Sequence, residues 1–425
     1  MFLWTRGNGP RLGPTEGDWI VTLDVGTTKV CCFIARIESE RAVNIVGIGH
    51  FISRGVRAGA VVDMEAAEAS VRAAVDAAER MAGDVVHEAY VNLAAGRQWS
   101  HTISVEVAIT GNQVTDSDIH RAIEQAMVEV EVEARTVVHA IPLHYSIDGA
   151  TGIRDPRGMF GATLGVNLHV VTTEEGQARN LAICTGRGHL EVRGLVASGY
   201  ASGLATLVED EAELGATVID MGGGLTTISV FAEGGPVLVD SVPLGGQHIT
   251  NDIARVLGTS VAHAERMKTL YGSAVGNDGD EREMIDVPPV GETEKVGANH
   301  VSRGELTQII APRIEELFEL TADRLRAAGS EEIVNRRVVL TGGASQMDGV
   351  NEVAACVLDK QARLGRPIHV HGLAESTSGP AFSTCAGMLT YAASGLAGTD
   401  VGALAVPDRG GSTLATMGRW LRENL

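Results

Sequence analysis

Apolar positions near the start of the chain predict two buried strands joined by a tight turn. An apolar run over residues 19–24 leads into a glycine turn, and a second apolar run covers 30–37. This pattern is typical of a β-hairpin. A third strand fits Asn44–His50, and apolar residues at helical spacing then predict a helix over 64–82.

A related pattern returns about 196 positions later in the chain. Residues 217–220 form an apolar strand that ends in an aspartate, a turn of three glycines follows, and 228–231 is the returning strand. A third glycine turn, at 342–344, closes the strand 338–340 and is expected to lead into a helix. The alternation of strands and helices predicts an α/β fold.

The segment between the two copies has its own pattern and is expected to be an independent insert over residues 97–175. Alternating polar and apolar residues predict a strand over Ser100–Thr110, and helical spacing predicts a helix over Ser117–Val132. A second irregular stretch, Gly276–Asn299, is rich in glycine, proline and acids. It is expected to form a surface loop.

Both ends of the chain read as extensions. Residues 1–18 are rich in glycine and proline and predict a flexible lead-in, and 394–411 reads as a linker. The last residues, 412–425, predict an amphipathic helix with an apolar stripe and basic edges, which suits a membrane interface. The alternative is a terminal helix docked on its own domain. The residues expected at the membrane are Leu414, Met417, Arg419, Trp420, Leu421 and Arg422.

Composition excludes several classes of protein. The chain has 34 Lys and Arg against 54 Asp and Glu, a formal net charge of −20, which argues against binding nucleic acid through counterion release. No apolar run is long enough to span a membrane, so membrane contact is expected to be peripheral. The five cysteines are odd in number and include no CxxC, which favours reduced residues in a cytoplasmic protein.

The two aspartate–glycine turns carry the chemistry expected of a phosphate site. Glycines let backbone N–H groups approach phosphate oxygens, and threonine hydroxyls add donors. Asp24 and Asp220 cannot touch phosphate directly, because two like charges ~4 Å apart repel by ~4 kcal/mol at a dielectric constant near 20. Mg²⁺ between the carboxylates and the phosphates, held through water, resolves this. Each turn alone could equally be a plain β-turn, and the absence of GxxxxGK[ST] excludes a P-loop.

The three turns together resemble those of the superfamily that contains actin, the DnaK-type chaperones and the sugar kinases. Residues 24–28 match its first phosphate motif, 220–224 its second, and 340–345 its adenosine motif. Thr227 stands where the chaperones have an aspartate, and Leu225 replaces a threonine, so rapid hydrolysis is not expected. The nucleotide-binding residues that the resemblance implies are Asp24, Gly26, Thr27, Thr28, Lys29, Gly222, Gly223, Gly224, Glu265, Lys268, Gly342, Gly343 and Ala344.

The insert narrows the resemblance to the FtsA family of bacterial actin-related cell-division proteins. Segments 140–148, 155–159 and 169–172 resemble the extra subdomain of that family. Segment 55–63 in the first half and segment 243–252 in the second half also resemble the corresponding parts of the family. The implied fold is a duplicated, actin-like two-domain α/β fold with an inserted subdomain and a C-terminal amphipathic helix. The implied divisions are a first core subdomain (19–96, 176–215 and 375–393), the insert (97–175), a second core subdomain (216–248 and 333–374), a small subdomain (249–332), a linker (394–411) and the terminal helix (412–425).

The same resemblance implies partners and cofactors. The protein is expected to bind ATP and Mg²⁺, to polymerise at the cytoplasmic face of the inner membrane at the septum, and to recruit later division proteins through the insert. The small subdomain is expected to bind the C-terminal tail of FtsZ through Ser302, Arg303 and Arg313, although solvated surface charge is an equal interpretation of the arginines. Slow hydrolysis would use water and Mg²⁺ positioned by Asp220.

Two other functions use the same turns. A small-molecule kinase of the superfamily would need an aspartate base in a substrate pocket, and it leaves the terminal helix without a role. A chaperone would need a separate peptide-binding domain, for which the roughly 34 residues after Tyr391 are too few.

Overall fold

The computed structural model describes residues 15–38, 42–130, 133–289, 299–329 and 337–400. The lead-in is described from Thr15 onward, and regular structure starts at Trp19, as expected. Most of the predicted lead-in, the later part of the predicted linker and the whole of the predicted terminal helix lie outside the described residues.

The first half opens with the predicted hairpin, third strand and helix. The strand β1 pairs antiparallel with β2, and Asp24 lies opposite Cys31 near the turn. The helix α1 begins after Asp63, whose side chain accepts a hydrogen bond from the Ala66 N–H, and it ends at Gly83 with φ 75°. The elements are β1 (Trp19–Val25), β2 (Lys29–Ile37), β3 (Val43–Ile52), β4 (Val56–Arg57), β5 (Ala60–Val61), α1 (Met64–Ala82) and β6 (Glu88–Leu93).

The insert is an antiparallel sheet covered by one helix. Its strands run in the order β7-β10-β8-β9. The helix ends at Val128 instead of at the expected Val132, because a tight turn follows in which the Val130 N–H bonds the Met127 carbonyl and Val130 packs into the insert core. The elements are β7 (Trp99–Ala108), α2 (Asp116–Val128), β8 (Arg135–Ile147), β9 (Ala150–Ile153) and β10 (Thr163–Glu174).

The chain then returns to the first half and crosses to the second through a helix of small residues. The strand β11 completes a five-stranded sheet in the order β11-β6-β1-β2-β3. A Cβ at Gly203 would lie 2.1 Å from the Phe231 ring, so only glycine lets α4 pack this close to the second sheet. The elements are α3 (Glu175–Arg187), β11 (Glu191–Ala197), α4 (Ser198–Thr206) and α5 (Glu209–Leu214).

The second half repeats the topology of the first. Its sheet has the order β14-β13-β12-β17-β18, with β12 antiparallel to β13 and parallel to β17, as β1 is to β2 and β6. The elements are β12 (Ala216–Met221), β13 (Thr226–Ala232), β14 (Gly235–Val242), α6 (Gly246–Leu257), α7 (Val261–Tyr271), β15 (Met284–Val287), β16 (Asn299–Ser302), α8 (Arg303–Ala327), β17 (Arg337–Thr341), α9 (Val350–Leu358) and β18 (Gln361–Leu364).

The prediction of a surface loop over 276–299 is wrong in part. It contains a short 3-10 helix at 280–282 and the strand β15, which pairs antiparallel with β16. Ile285 and Val287 are buried, whereas Met284 and Asp286, which alternate with them, are exposed. Only two apolar residues are needed to seat so short a strand, so the acidic and glycine-rich composition around it hid the alternation.

The expected linker over 394–411 is also wrong at its start. After α10 (Ser383–Ala393) comes a short helix, α11 (Leu396–Thr399), and Asp400 is buried. The Asp400 carboxylate accepts hydrogen bonds from the Tyr391 hydroxyl at 2.8 Å and the Ala140 N–H at 2.7 Å, and it pairs with His139. The composition of the predicted linker gives no sign that Asp400 is buried, because its partners come from the insert and from α10.

The insert contacts the second half as well as the first. The edge strand β7 lies against the edge strand β14, where the Val239 N–H donates to the buried Ser100 hydroxyl at 2.7 Å. Arg154 of the insert also pairs with Glu213 beside the second sheet, at 3.0 Å. These contacts join two sheets whose sequences show no pairing signal.

Candidate functional site

An open cavity of about 510 Å³ lies between the two halves, and all three glycine turns line it. The first phosphate turn contributes residues 27–29, the second 222–224 and the third 342–344. Asp24, Asp220, Glu265 and Lys268 also line it. The structure therefore brings twelve of the thirteen predicted residues together around one cavity, and the exception, Gly26, lies in the first phosphate turn.

The two phosphate turns have the same internal geometry. The Gly26 N–H bonds the Lys29 carbonyl at 2.9 Å, and the Gly222 N–H bonds the Leu225 carbonyl at 3.0 Å. Among the residues that the structure describes, none accepts a hydrogen bond from the N–H of Gly223 or Gly224. Because both glycines line the cavity, these two donors are available to an anion there.

The two turns also touch each other. A Cβ at Gly223 would lie 2.5 Å from Thr28 Cγ2, and one at Gly224 would lie 2.6 Å from Thr27 Oγ1. Thr27 Oγ1 in turn accepts a hydrogen bond from the Gly59 N–H at 3.1 Å. Glycine is therefore required at both positions of the second turn, because any side chain would push the halves apart.

Both aspartates are buried carboxyl groups with perturbed acidity. Burial raises the pKa of Asp24 to about 6, which Lys29 opposes and the charge of Asp220 reinforces. Burial also raises the pKa of Asp220, although hydrogen bonds from Ser202 and Thr384 and the charge of Lys29 oppose the rise. Two carboxylates that disfavour each other's ionisation are the arrangement that a cation between them relieves.

Lys29 lies at the same end of the cavity as the two carboxylates. Its ammonium donates to the Ala381 carbonyl and lies 3.6 Å from the centroid of the Phe382 ring. An ammonium has three donors, so further donors remain for a ligand oxygen.

The third turn packs directly on Asp220. Gly342 has φ 86°, and a Cβ there would lie 2.3 Å from Asp220 Oδ1. A 3-10 helix over Gly343–Gln346 follows, and α9 then starts at Val350, so the turn leads into a helix as the sequence predicts. The turn thus sets both the floor of the cavity and the position of one carboxylate oxygen.

Glu265 and Lys268 lie on one face of α7, as their spacing predicts. Their side chains pair at 2.7 Å, and Thr250 joins them, donating to Glu265 and accepting from Lys268 at 2.8 Å. Lys268 also donates to the Gly246 carbonyl at 3.1 Å, which ties α7 to the first turn of α6.

Several residues of the site were missed by sequence reasoning. Ser202 and Thr384 hold Asp220, and Thr227 lines the cavity with a buried hydroxyl that has no partner among the described residues. Gln247 lies at the start of α6, where its N–H bonds the Gly223 carbonyl at 2.7 Å. Serine and threonine within helices of small residues carry no local sequence signal of a functional role. For Thr227, the only signal was its position in the repeated strand–turn–strand pattern.

This donor set fits a polyphosphate with a divalent cation. Free glycine amides, threonine hydroxyls and one ammonium offer donors to phosphate oxygens, and Asp24 and Asp220 offer the hard oxygens that Mg²⁺ prefers. The orphaned hydroxyl of Thr227 adds a polar group without a protein partner. No cluster of three or more His, Cys, Asp and Glu able to bind a metal directly occurs in the described parts of the chain. Asp24 and Asp220 would hold Mg²⁺, which keeps several of its waters at such sites.

The three residues predicted to bind a partner peptide lie at and after the start of α8. Ser302 is the buried N-cap, and its hydroxyl accepts from the Glu305 N–H at 3.1 Å. Arg303 lies 3.5 Å from Glu283 and 3.7 Å from Asp280, and Arg313 bonds Asp252 at 2.7 Å. Both guanidinium groups are therefore already paired with carboxylates of this chain.

Two sheets of identical topology that enclose a cleft between paired glycine turns define an actin-like protein. Solved structures share this fold. The PilM–PilN complex of type IV pilus biogenesis matches with a TM-score of 0.62 and 15% identity, over 90% of this chain and 99% of that chain. MreB 5 of Spiroplasma citri bound to AMPPNP matches with a TM-score of 0.50 and 15% identity, over 89% and 96%.

Sequence comparison gives the family. A model of "Cell division protein FtsA" matches residues 217–387, and one of the "SHS2 domain inserted in FTSA" matches 97–172. FtsA of Agrobacterium fabrum is 45% identical over 98% of this chain and 97% of its own length, and FtsA of Escherichia coli K12 is 33% identical over 89% and 91%. The chain belongs to the FtsA family of cell division proteins, which confirms the resemblance drawn from its motifs.

Proposed function

We propose that the cavity between the halves binds ATP with Mg²⁺. The observation that carries this proposal is the approach of two aspartate–glycine turns, one from each half, around a single cavity with two free glycine amides. Glu265 and Lys268 line this cavity together with Gly342, Gly343 and Ala344, and these residues suit the ribose and base. The solved relative MreB 5 with bound AMPPNP supports the same class of ligand.

Calorimetry with the full chain tests nucleotide binding. We expect ATP and ADP to bind in the presence of Mg²⁺, and Asp220→Asn to weaken binding by about tenfold or more, because it removes a hard anionic oxygen. Glu316→Gln is a matched control, since Glu316 lies on α8 and does not line the cavity. If titration of the wild-type protein with ATP and Mg²⁺ gave no heat of binding, the proposal would be rejected.

We further propose that the nucleotide controls assembly with other copies of the chain, and that the assembly links FtsZ to the cytoplasmic face of the inner membrane at the septum. Family membership supports a role in division. Among the described helices, none is long and apolar enough to cross a bilayer. Attachment is therefore assigned to the sequence 412–425, with its leucines, Trp420 and flanking arginines.

Attachment by one such helix is expected to be weak. Four or five apolar side chains contribute at most ~1.5–3 kcal/mol each when fully buried, and these are only partly buried at an interface. Assembly places many helices on one membrane and raises avidity without new contacts. Co-sedimentation with liposomes and FtsZ, with and without ATP, using wild type and a chain ending at Gly411, tests this coupling. A shortened chain that still carries FtsZ to liposomes would contradict it.

The peptide-binding part of the proposal concerns Ser302, Arg303 and Arg313. Since both arginines pair with carboxylates of this chain, an acidic FtsZ tail would have to exchange with Glu283 or Glu316, which are half-exposed. Later division proteins are proposed to contact the insert. Titration of FtsZ tail peptide against Arg303→Ala and Arg313→Ala tests the first point, and unchanged affinity in both variants would reject it.

A further inference from the structure

Two hydroxyl groups hold the carboxylate of Asp220. Ser202 Oγ donates to Asp220 Oδ2 at 2.5 Å, and Thr384 Oγ1 donates to the same oxygen at 2.9 Å. Ser202 is fully buried, and Asp220 and Thr384 are less than a tenth exposed. Charge-assisted hydrogen bonds in such a place are stronger than neutral ones and fix the rotation of the carboxylate.

The two hydroxyls come from two helices with different surroundings: α4 packs mainly against β12 and β13 of the second sheet, whereas α10 lies against the first sheet. Ser202 lies on α4 and Thr384 at the start of α10, and these two helices pack on each other between the two sheets. The helix α10 also packs against β1, β2 and β6 of the first sheet. Asp220, by contrast, lies on β12 in the second sheet. The bond from Thr384 therefore crosses the junction between the halves.

The two oxygens of Asp220 have different surroundings. The bonds from Ser202 and Thr384 occupy Oδ2, whereas Oδ1 faces the third turn, where it would be 2.3 Å from a Cβ at Gly342. Ser202 Oγ and Thr384 Oγ1 lie 2.9 Å apart, and each has one proton to donate. When both protons point at Oδ2, the carboxylate accepts two bonds on one oxygen and keeps the other for the cavity.

We propose that Ser202 and Thr384 are positioning residues for the metal-bound form of the nucleotide, because both orient Asp220, and Thr384 does so only while the two halves are closed around the cavity. This inference rests on the proposed Mg²⁺–ATP site. An aspartate χ2 rotates broadly when nothing fixes it, so loss of either donor disorders the oxygen that faces the cavity. Opening of the cleft would stretch the Thr384 bond first, which couples closure to metal coordination.

The test compares ATP affinity with Mg²⁺ and with EDTA, in the full chain, by calorimetry. Ser202→Ala and Thr384→Val are each expected to lower the Mg²⁺-dependent gain in affinity about tenfold, which is the size of one charge-assisted hydrogen bond. Affinity in EDTA should change little, because neither residue touches the proposed base or ribose positions. Thr384→Ser retains the hydroxyl and should restore the gain to within about twofold of wild type.

Thr390→Val is the matched control, since it removes a threonine hydroxyl from the same helix, where it bonds only the Ala386 carbonyl. It should leave both affinities unchanged. Folded Ser202→Ala and Thr384→Val proteins with the wild-type ratio of affinities would overturn the inference. If Thr384→Val fails to fold, Ser202→Ala decides, because it removes one oxygen and favours the helix. Wild-type protein that binds no ATP would reject the proposed function instead.

Discussion

Gly342 shows how one residue position can be dictated by a neighbour that is distant in sequence. Its φ is 86°, and a Cβ there would meet Asp220 Oδ1 and the Met221 backbone within 2.7 Å. Gly343, the next residue, has nothing closer than 3.9 Å to its Cβ position. The two adjacent glycines therefore differ in what they tolerate, although the sequence presents them as equivalent.

Gly342→Ala is expected to lower the free energy of unfolding by at least about 1–3 kcal/mol, because the left-handed conformation is strained for alanine and the added methyl displaces Asp220. Urea denaturation followed by circular dichroism measures the change. Gly343→Ala is the matched control and should cost less than about 1 kcal/mol. Equal losses in the two variants would contradict the steric argument.

The raised pKa of the buried Asp24 should appear in how the free energy of unfolding of the protein depends on pH. Burial raises the pKa of its carboxyl from 3.8 to about 6, so the folded state binds a proton more readily than the unfolded state. Ionised Asp24 thus destabilises the nucleotide-free protein fully above pH ~6, and that penalty fades as the pH falls toward 3.8. Asp24→Asn should then be more stable than wild type by up to about 3 kcal/mol at pH 8.

The comparison is made by urea denaturation at several pH values without nucleotide. We expect the advantage of Asp24→Asn to shrink between pH 7 and pH 5, and the variant to bind Mg²⁺–ATP more weakly than wild type. A constant difference across this range would show that the carboxyl does not titrate as the structure indicates.

At the scale of the elements, hydrogen bonds of the buried Asp400 side chain attach the end of the described chain to the rest of the protein. Asp400 lies 261 residues from its partner His139 in the sequence, yet its carboxylate contacts both the Tyr391 hydroxyl and the insert strand β8. The His139 Nε2 accepts from the Ala197 N–H at 2.9 Å, so Nδ1 carries the proton that points at Asp400. This network joins the insert, the first sheet and the segment that leads to the terminal helix.

Asp400→Ala is expected to destabilise the protein by about 2–3 kcal/mol, because it leaves a buried imidazole N–H, a tyrosine hydroxyl and a backbone N–H without their acceptor. Thermal unfolding measures the loss. Ser394→Ala, in the same segment, removes a hydroxyl that bonds the Tyr391 carbonyl at 3.2 Å and should cost much less. A chain ending at Gly395 should behave like Asp400→Ala, whereas one ending at Gly411 should match wild type.

In the whole molecule, the insert connects the two halves at a place remote from the cavity. The Ser100 hydroxyl is the acceptor for the Val239 N–H, which lies on the edge strand of the second sheet. A movement of one half relative to the other would therefore change the contact between β14 and β7 of the insert.

Ser100→Ala is expected to lower the free energy of unfolding by about 1–3 kcal/mol, because a buried N–H loses its only side-chain acceptor. Ser104→Ala is the matched control, since Ser104 lies on the same strand but is exposed. Chemical denaturation of both variants measures the difference. A loss of similar size in the control would show that the strand and not the junction is sensitive.

The motifs were predictable because they are local. A hairpin of two apolar strands needs only alternating or continuous hydrophobicity and a turn residue, so the sequence predicts 19–37 and 217–231, and helical spacing predicts the helix 64–82. Glu265 and Lys268 on one helix followed from the family resemblance. The repeat of the pattern, together with the insert, sufficed to predict the actin-like fold and the family. The division into subdomains stays a prediction.

Other features depended on distant contacts. The partners of Asp220 lie 18 and 164 residues away, and the two partners of Asp400 in the insert lie 260 and 261 residues away, so no short window of sequence contains both members of these pairs. The strand β15 is too short to display a period, and Arg303 and Arg313 showed only their charge and not the carboxylates that face them.

By itself, the sequence determined which stretches become strands, helices and phosphate turns, because those preferences arise from side chains a few residues apart. Only the tertiary structure decided which hydroxyls orient Asp220, where the C-terminal segment is pinned and how the insert meets the second half. Those contacts form between segments that packing brings together, and their energies depend on burial and geometry that no local pattern encodes.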